Sequence, residues 1–269
     1  MARKKRLIIP LFIPFGGCAN QCVFCDQEGI TGEVRLPTLK EVADTVHSYL
    51  STWKGGGAKE IAFYGGSFTA LPVGAQLDYL EAAFGHIIEG RVDSVRVSTR
   101  PDRVTPGIIE YLKRYGVATV ELGAQSMSDE VLKASGRGHT ARQTAEAVSM
   151  LKGAGLNVGL QFMPGLPADS RDSVIRTTEE IIGLKPDFVR VYPTLVFKKT
   201  PLYRMYLNGS YTPWTLEEMV EVCGKVYGLL KDAGIPIVRM GLQPTEELEK
   251  NLVAGPYHPS FRQLVEGRI

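Results

Sequence analysis

The chain has 269 residues, of which 44% are hydrophobic and 22% are charged, and this composition is that of an ordinary soluble globular protein. A formal net charge of +2 is too small to demand a nucleic-acid partner by itself. No apolar run approaches the roughly 20 residues of a membrane helix, and the first apolar stretch, Leu7 to Phe15, is interrupted by Pro10 and Pro14. We therefore expect a cytoplasmic protein with no signal peptide and no membrane partner.

Apolar, β-branched runs alternate with helical-period segments along the chain. The candidate strands are Leu7 to Ile13, Glu60 to Tyr64, Ser94 to Ser98, Thr119 to Leu122, Asn157 to Phe162, Phe188 to Tyr192 and, more weakly, Ile235 to Met240. The candidate helices are Lys40 to Trp53, Ala75 to Ile88, Gly107 to Tyr115, Ala141 to Ala154, Asp172 to Leu184 and Leu216 to Ala233. Strands separated by helices of this length predict βαβ crossovers and a mainly parallel sheet.

Six regular βα units, with a candidate seventh strand, predict an α/β fold: a partial (β/α)6 TIM-like barrel with parallel strands. We expect residues 1–240 to form this core and residues 241–269 to form a C-terminal extension that packs on or near the barrel. In such architectures ligands bind at the carboxyl ends of the strands. The glycine-rich and polar motifs of the chain fall at these predicted ends.

Helix boundaries also have local signals. Thr38 precedes a helix with Glu41 at its third position, and Thr215 stands in the same relation to Glu218, so both pairs predict capping boxes. Glycines follow several predicted helix ends, as C-terminal caps require: Gly116, Gly155 and Gly234.

Three of the four cysteines, Cys18, Cys22 and Cys25, fall within eight residues directly after the first strand. Thiolates ligate iron–sulfur clusters, and a four-iron four-sulfur (4Fe-4S) cluster normally takes one thiolate per iron. Three ligands would leave one iron open for a substrate or cofactor. A structural zinc site would need four ligands, and no second close Cys or His pair occurs in the sequence. Cys223 lies in a predicted helix, where it is either a buried small apolar residue or a fourth ligand.

The spacing Cys-x3-Cys-x2-Cys, with aromatic Phe24 before the last cysteine, resembles the motif of the radical S-adenosyl-L-methionine (SAM) superfamily. The resemblance implies that Cys18, Cys22 and Cys25 hold the cluster as metal ligands and catalytic residues, that SAM binds the open iron, and that Phe24 borders the adenine. In that superfamily an electron from the reduced cluster cleaves SAM to a 5′-deoxyadenosyl radical, which abstracts a hydrogen atom from the substrate. Four loop residues would bend close to the cluster or hydrogen-bond its sulfurs: Gly16, Gly17, Asn20 and Gln21.

The second and third strands end in further candidate SAM contacts. Gly65 and Gly66 resemble the first two residues of the superfamily's Gly-Gly-Glu motif, whose backbone holds the SAM amino group, and Ser67 replaces the glutamate. A simple turn would give the same glycines. Ser98 stands where related enzymes place a polar residue for the ribose or methionyl group, and Arg100 is near enough in sequence to serve the SAM carboxylate or an anionic substrate. The alternative for Arg100 is a turn with a surface ion pair.

The ends of the fourth and fifth strands resemble both the elongator catalytic subunit, which modifies wobble uridine in tRNA, and oxygen-independent coproporphyrinogen oxidase. By this resemblance Gln125 and Gln161 would bind the ribose or methionyl groups of SAM, Arg137 its carboxylate, and Met163 would pack near adenine. His139 is a candidate proton carrier. Its alternative is to cap or hydrogen-bond a loop beside Arg137.

The sixth strand favours the elongator-like relatives, whose matching segment also carries Tyr-Pro-Thr, a nearby Lys and Thr-x-Leu-Tyr. Tyr192 would line the adenine pocket, and Lys198 would face the substrate entrance as a catalytic residue. A solvated lysine pair explains Lys198 equally well.

The leading hypothesis is therefore a radical SAM enzyme that modifies bases in tRNA-like RNA, with an external electron donor of the flavodoxin or ferredoxin type. Two alternatives stay open: a radical enzyme acting on a small molecule or tetrapyrrole, and a non-enzymatic iron–sulfur partner of a separate acyltransferase. The elongator subunit carries an acetyltransferase domain after its radical domain. Since this chain ends near where that domain would begin, we do not expect acetyl transfer by this polypeptide alone.

Overall fold

The structure, a computed structural model, describes residues 6–14, 18, 22–27 and 35–268. The four residues expected to shape the cysteine loop, Gly16, Gly17, Asn20 and Gln21, lie outside the described residues. In the described ranges no helix is long and apolar enough to cross a membrane.

Seven strands form one parallel sheet, in the order β1-β2-β3-β4-β5-β6-β8. They are β1 (Leu7–Ile13), β2 (Lys59–Gly65), β3 (Ser94–Thr99), β4 (Val117–Gln125), β5 (Asn157–Phe162), β6 (Phe188–Val191) and β8 (Ile237–Met240). The sheet curls into a partial TIM-like barrel, which confirms the predicted fold. The weakly indicated last strand is a full member of the sheet, so the barrel has seven strands and not only six.

Helices alternate with the strands. Six of them were predicted from the sequence: α1 (Leu39–Thr52), α2 (Val73–Ile88), α3 (Pro106–Arg114), α5 (Ala141–Gly153), α6 (Arg171–Leu184) and α8 (Leu216–Asp232). Four short helices were not predicted: α4 (Asp129–Ala134), α7 (Pro201–Leu207), α9 (Glu246–Asn251) and α10 (Phe261–Glu266). Each has six or seven residues, which is too short for a helical hydrophobic period to stand out.

The predicted helix ends are confirmed. The side chains of Thr38 and Thr215 each accept a hydrogen bond from the backbone N–H of the third helical residue. The carboxylates of Glu41 and Glu218 in turn accept from the backbone N–H of the two threonines, so both capping boxes are complete. Gly116 and Gly234 adopt positive φ angles of 74° and 70° at the ends of α3 and α8. Glycine adopts this left-handed conformation without the clash that a Cβ would cause.

The two faces of the sheet have different surroundings. Along β1, Ile9 and Leu11 belong to a large apolar core that they share with Val42 and Val46 of α1. The alternate residues of β1, such as Ile8 and Phe12, line a cavity inside the barrel. Helices therefore cover the outer face of the curled sheet, while its inner face encloses the cavity.

The last part of the chain contacts the barrel at two places. Strand β9 (Leu252–Ala254) pairs antiparallel with β7 (Val196–Phe197) in a separate two-stranded sheet. Helix α10 packs on α8 and β8. The division of the chain at residue 240 stays a prediction.

Candidate active site

A cavity of about 1830 Å³ runs along the inside of the barrel, and its lining includes residues at the carboxyl ends of the strands and at their amino ends, such as Asn157 and Asp187. All of the described residues that were predicted to bind the cluster or SAM line it: Cys18, Cys22, Phe24, Cys25, Gly65, Gly66, Ser67, Ser98, Arg100, Gln125, Arg137, Gln161, Met163 and Tyr192. These residues come from six different strand ends. The fold therefore brings together residues that are far apart in the sequence.

The cysteine loop is held at Val23, between two other segments of the chain. The Val23 N–H donates to the carbonyl of Ser135 at 3.1 Å, and the Val23 carbonyl accepts from the N–H of Leu202 at 2.8 Å. Within the loop the Cys25 N–H donates to the Cys22 carbonyl at 3.1 Å. This double anchor fixes the backbone between two of the three cysteines at the cavity wall.

The three thiols share one electrostatic environment. Burial is the largest of the effects that together raise the pKa of the Cys25 thiol to about 12, and the neighbouring Cys22 and Cys18 thiols act in the same direction. Cys18 Sγ lies 3.7 Å from the hydroxyl of Ser67. Among the described residues no three His, Cys, Asp or Glu side chains stand close enough to hold a single metal ion. The fit to a larger iron–sulfur cluster thus depends on donor type and on the shared cavity: three buried or half-buried thiols facing one space.

Arg137 joins the cysteine loop to β4. Its Nη1 donates to Cys22 Sγ at 3.3 Å, and its Nη2 donates to the Gly123 carbonyl at 2.5 Å. The Arg137 side chain is buried, yet its Nε has no partner within the described part of the chain. A buried guanidinium with a free N–H beside the cavity fits an anionic group such as a carboxylate.

Gln125 and Gln161 form a reciprocal pair at the ends of β4 and β5. Each side-chain amide donates to the other's oxygen, at 3.0 and 2.8 Å. Gln125 has a φ of 69°, which is strained for a non-glycine residue, and the register between the two strands shifts just before it. Gly123 provides the space for this arrangement, because a Cβ there would lie 2.9 Å from both Arg137 Nη2 and Gln125 Nε2.

The glycine pair after β2 touches the end of β1. The Gly66 N–H donates to the Ile13 carbonyl at 2.7 Å. Gly65 has a φ of 101°, and a Cβ there would lie 2.8 Å from the ring of Phe12. Glycine is therefore required for the close approach of these two strand ends. Both glycines leave backbone atoms facing the cavity.

Arg100 is not part of a surface ion pair. Its side chain is only 5% exposed, and its Nε and Nη2 donate to Asp102 at 2.9 and 3.3 Å. Its Nη1 is buried without a partner among the described residues. Ser98 lies half-buried on the same strand end and lines the same cavity. Arg100 therefore lines the cavity and has one buried N–H without a partner among the described residues.

His139 lies behind Arg137 and does not line the cavity. Burial, together with the nearby cations Arg137 and Arg100, lowers the pKa of His139 to about 4, while the Ala124 backbone acts in the other direction. The ring is thus neutral at pH 7.

The walls of the cavity include larger side chains. Phe24 packs against the small apolar cluster of Val196, Leu202 and Tyr211 while it also lines the cavity. Met163 is half-buried, and its N–H donates to the Gln125 carbonyl at 2.8 Å. The half-buried Tyr192 accepts from Arg190 Nη1 at 3.3 Å.

Two residues singled out from the sequence lie apart from this group. Lys198 is exposed, and its Nζ donates to the Lys250 carbonyl at 2.8 Å. Like His139, it does not line the cavity. Cys223 is fully buried in the apolar core on α8, where burial raises the pKa of its thiol to about 12. Its surroundings are those of a small apolar residue and not of a metal ligand.

Deeper in the barrel lies a group of charged residues that the sequence did not reveal, the lumen ion network of Glu60, Arg96, Glu121 and Arg190. Arg96 donates to Glu60 at 2.7 and 2.9 Å and to Glu121 at 2.6 Å. Arg190 binds the same Glu121 at 2.6 and 3.1 Å. These side chains are between 3% and 19% exposed.

The network also reaches the site above it. Arg190 Nη2 donates to the hydroxyl of Tyr64, directly before Gly65, at 3.3 Å. Burial and, to a smaller extent, the Glu121 carboxylate raise the pKa of Tyr64 to about 12. The sequence signal that could have revealed this network is a charged residue within a predicted strand, as at Glu121 and Arg190. A charged residue in a strand is normally expected to face water, so this signal does not by itself indicate a buried ion pair.

Comparison with known proteins agrees with this geometry. A sequence profile of the radical SAM superfamily matches residues 12–181, and a profile of the radical SAM C-terminal domain matches residues 186–269. A tRNA uridine(34) acetyltransferase of Methanocaldococcus jannaschii is 36% identical over 137 residues, which is 50% of this chain and 25% of that protein. Human elongator complex protein 3 is 27% identical over 215 residues, or 68% of this chain and 39% of that protein. The chain thus spans about a quarter to two fifths of these relatives' length.

Solved structures share the fold. An archaeal Methanocaldococcus infernus Elp3 lacking its N-terminus superposes with a TM-score of 0.77 at 22% identity, covering 98% of this chain and 62% of that one. The Escherichia coli coproporphyrinogen III oxidase HemN, titled a radical SAM enzyme, superposes with a TM-score of 0.62 at 16% identity over 86% of this chain and 54% of that one. Superfamily membership implies SAM and a 4Fe-4S cluster. The chain belongs to the radical SAM superfamily and is an enzyme of that superfamily.

Proposed function

We propose that the protein holds a 4Fe-4S cluster through Cys18, Cys22 and Cys25, cleaves SAM reductively, and uses the resulting radical to modify a base in tRNA-like RNA. The observation that carries the proposal is that the three thiols and the other predicted cofactor contacts line one cavity. Without the barrel these residues would share no common space.

The chain's own residues would position SAM. Arg137, anchored on Gly123, offers its free Nε to the SAM carboxylate. The backbone of Gly65 and Gly66 would receive the SAM amino group. The Gln125–Gln161 pair would turn its amides to the ribose or methionyl oxygens, exchanging its internal hydrogen bonds for bonds to the ligand.

The remaining contacts would hold the nucleoside end. Phe24, Met163 and Tyr192 would border the adenine, and Ser98 or Arg100 would bind the neighbouring oxygens. When bound, the reduced cluster supplies the electron that breaks a carbon–sulfur bond of SAM, giving methionine and a 5′-deoxyadenosyl radical. The residues around the cavity would hold the substrate where it can give up a hydrogen atom to this chemistry, and an external flavodoxin- or ferredoxin-type protein would supply the electron.

The choice of an RNA substrate has a separate basis. The relatives with the stated identities are named for tRNA uridine(34) modification and for the elongator complex. Arginines supply the cavity with cationic groups that suit a nucleotide, including Arg100 and Arg137. The acetyl transfer in the names of the archaeal relatives is a property of those proteins and is not part of the proposal.

The test is anaerobic. The purified protein is reconstituted with iron and sulfide, reduced with dithionite and given SAM, with or without unmodified tRNA transcripts. We expect 5′-deoxyadenosine in amounts that rise with tRNA, together with a new modified nucleoside in the digested tRNA by mass spectrometry. SAM cleavage that ignores tRNA and leaves every nucleoside unchanged would contradict the RNA substrate and favour a small-molecule substrate.

A further inference from the structure

The cavity wall has two parts that differ in their residues. The predicted SAM contacts come from the cysteine loop and from the ends of β2 to β6. Another part of the wall is made by β8, which lies next to β6 in the sheet, and by the segment that follows it, including Arg239, Leu242 and Gln243. None of these residues belongs to a predicted cofactor motif. This wall is therefore free to face a substrate beside SAM.

Arg239 is the cation of this wall. It lies half-buried on β8, the last strand of the sheet, and lines the cavity. No ion pair or hydrogen bond of its side chain occurs in the part of the chain that the structure describes. Its level in the barrel follows from the strand register, which places Arg239 beside Arg190 and Arg190 beside Gln161. Arg239 thus stands in the same layer as a predicted SAM contact.

The other arginines that line the cavity already have partners. Arg6, Arg96, Arg100 and Arg190 each contact a carboxylate within 4 Å. Arg137 contacts a thiol and a carbonyl and points to the predicted SAM site. Among the described residues, Arg239 is left as the second lining arginine without a carboxylate.

The position of Arg239 beside Arg190 is a second reason to expect an anionic ligand at Arg239. Neighbouring strands are only about 4.8 Å apart, and like charges at paired positions destabilise a sheet. Glu121 neutralises Arg190 through two hydrogen bonds and is shared with Arg96. Glu246 and Glu247 also line this part of the cavity, but both pair with Lys250 and neither forms an ion pair with Arg239. An anionic ligand would therefore give Arg239 the partner that Glu121 gives Arg190.

We propose that Arg239 anchors a phosphate group of the substrate nucleotide within the barrel, two strands away from Gln161 in the sheet. The choice of a nucleotide phosphate depends on the proposed function in RNA. A planar guanidinium donates two parallel hydrogen bonds to phosphate oxygens, which fixes the orientation of the attached nucleoside as well as its affinity. The nucleoside would then extend from β8 toward the Gln125–Gln161 pair.

Equilibrium binding tests the proposal without any radical chemistry. Uridine 5′-monophosphate and uridine are titrated into the purified protein by calorimetry, for the wild type and for Arg239→Gln and Arg239→Lys. We expect the wild type to prefer the monophosphate, Arg239→Gln to lose roughly tenfold to a hundredfold of that affinity, as for a lost hydrogen bond between charged groups, and Arg239→Lys to retain part of it. Uridine binding should stay unchanged in all three proteins.

Arg142→Gln is the matched control, since Arg142 is an exposed arginine on the outer helix α5. Equal affinity of the wild type and Arg239→Gln for the monophosphate, or no preference of the wild type for it over uridine, would overturn the proposal. This result is separate from the RNA test. If the monophosphate binds through Arg239 while tRNA stays unmodified, the phosphate site stands and the RNA function fails.

Discussion

The carboxyl end of the barrel and its middle both contain buried polar side chains, but in opposite states. In the middle, the arginines and glutamates of the lumen ion network form a continuous set of hydrogen bonds. At the carboxyl end, Arg100 Nη1 and Arg137 Nε are buried and have no partner within the described ranges. At β3 the two regions are four residues apart along the chain, at Arg96 and Arg100.

The difference separates scaffold from binding site. Buried polar groups are nearly always hydrogen-bonded in folded proteins, since an unpaired one costs about 1–3 kcal/mol. The paired network in the middle needs no ligand and holds the strands and Tyr64 in place. The unpaired donors at the end are accounted for if a ligand such as SAM completes their hydrogen bonds.

The substitution with the largest expected effect on activity is at the cysteines of the carboxyl end. Cys22→Ala removes a predicted cluster ligand at the carboxyl end, and we expect iron content to fall and 5′-deoxyadenosine formation to disappear after anaerobic reconstitution. Cys223→Ala is the control, because Cys223 lies in the core on α8. A Cys22→Ala protein that keeps four irons per chain and full SAM cleavage would contradict the assignment.

Substitutions in the lumen ion network should lower the free energy of unfolding. Arg96→Met leaves the carboxylates of Glu60 and Glu121 buried without this partner, and breaking a buried ion pair in this way costs about 3–5 kcal/mol. Urea unfolding of the protein measures the loss, with exposed Arg142→Met as the control. Adding Glu60→Gln to Arg96→Met should recover part of it. A loss below about 1 kcal/mol would show that the network is not a scaffold.

His139 gives the end region a distinct pH dependence. Its pKa is about 4 in the folded protein and near 6.5 when unfolded, so between these values the unfolded state binds more protons and stability rises with pH. Between pH 7 and pH 5 the wild type should lose about 2 kcal/mol of unfolding free energy that His139→Gln does not lose. Urea unfolding at the two pH values tests this. Parallel losses in both proteins would contradict a neutral buried His139.

A smaller effect is expected from filling space at the end region. Gly123→Ala would place a Cβ 2.9 Å from Arg137 Nη2 and from Gln125 Nε2, so both side chains must move. We expect SAM affinity, measured by calorimetry on the reconstituted protein, to fall about tenfold, or about 1.4 kcal/mol. Gly153→Ala is the control, because its Cβ would meet nothing within 4 Å. Unchanged SAM affinity in Gly123→Ala would contradict a role of Gly123, Gln125 and Arg137 in the SAM site.

The sequence predicted the end region better than the middle, for physical reasons. Strand ends carry their motifs in short contiguous stretches, so Gly65 with Gly66, or the cysteines, are visible without any knowledge of the fold. The βα units were equally visible, because their hydrophobic periods are long and their caps are local, as at Thr38 and Thr215.

The lumen ion network could not be found in this way. Its members lie on four strands, and Glu121 is separated from Arg190 by 69 residues. Each one alone resembles a solvent-facing charge, and only closure of the sheet makes them neighbours. The pairing of β7 with β9 was missed for the same reason, since two- and three-residue strands have no pattern before they meet.

Lys198 shows the limit of motif matching. Its place after the sixth strand led to the prediction that it faces the substrate entrance. The structure places its ammonium group on the Lys250 carbonyl, outside the cavity lining. A long, exposed lysine can take many directions, and the sequence around it does not determine which carbonyl it meets.

The central claim is that the unpaired groups at the carboxyl end form the site for a cluster with bound SAM. The most direct measurement is electron paramagnetic resonance of the reduced, reconstituted protein with and without SAM. We expect a 4Fe-4S signal whose g values change when SAM is added, because SAM binds the open iron. A signal that is identical with and without SAM, in protein with a full cluster, would contradict the claim.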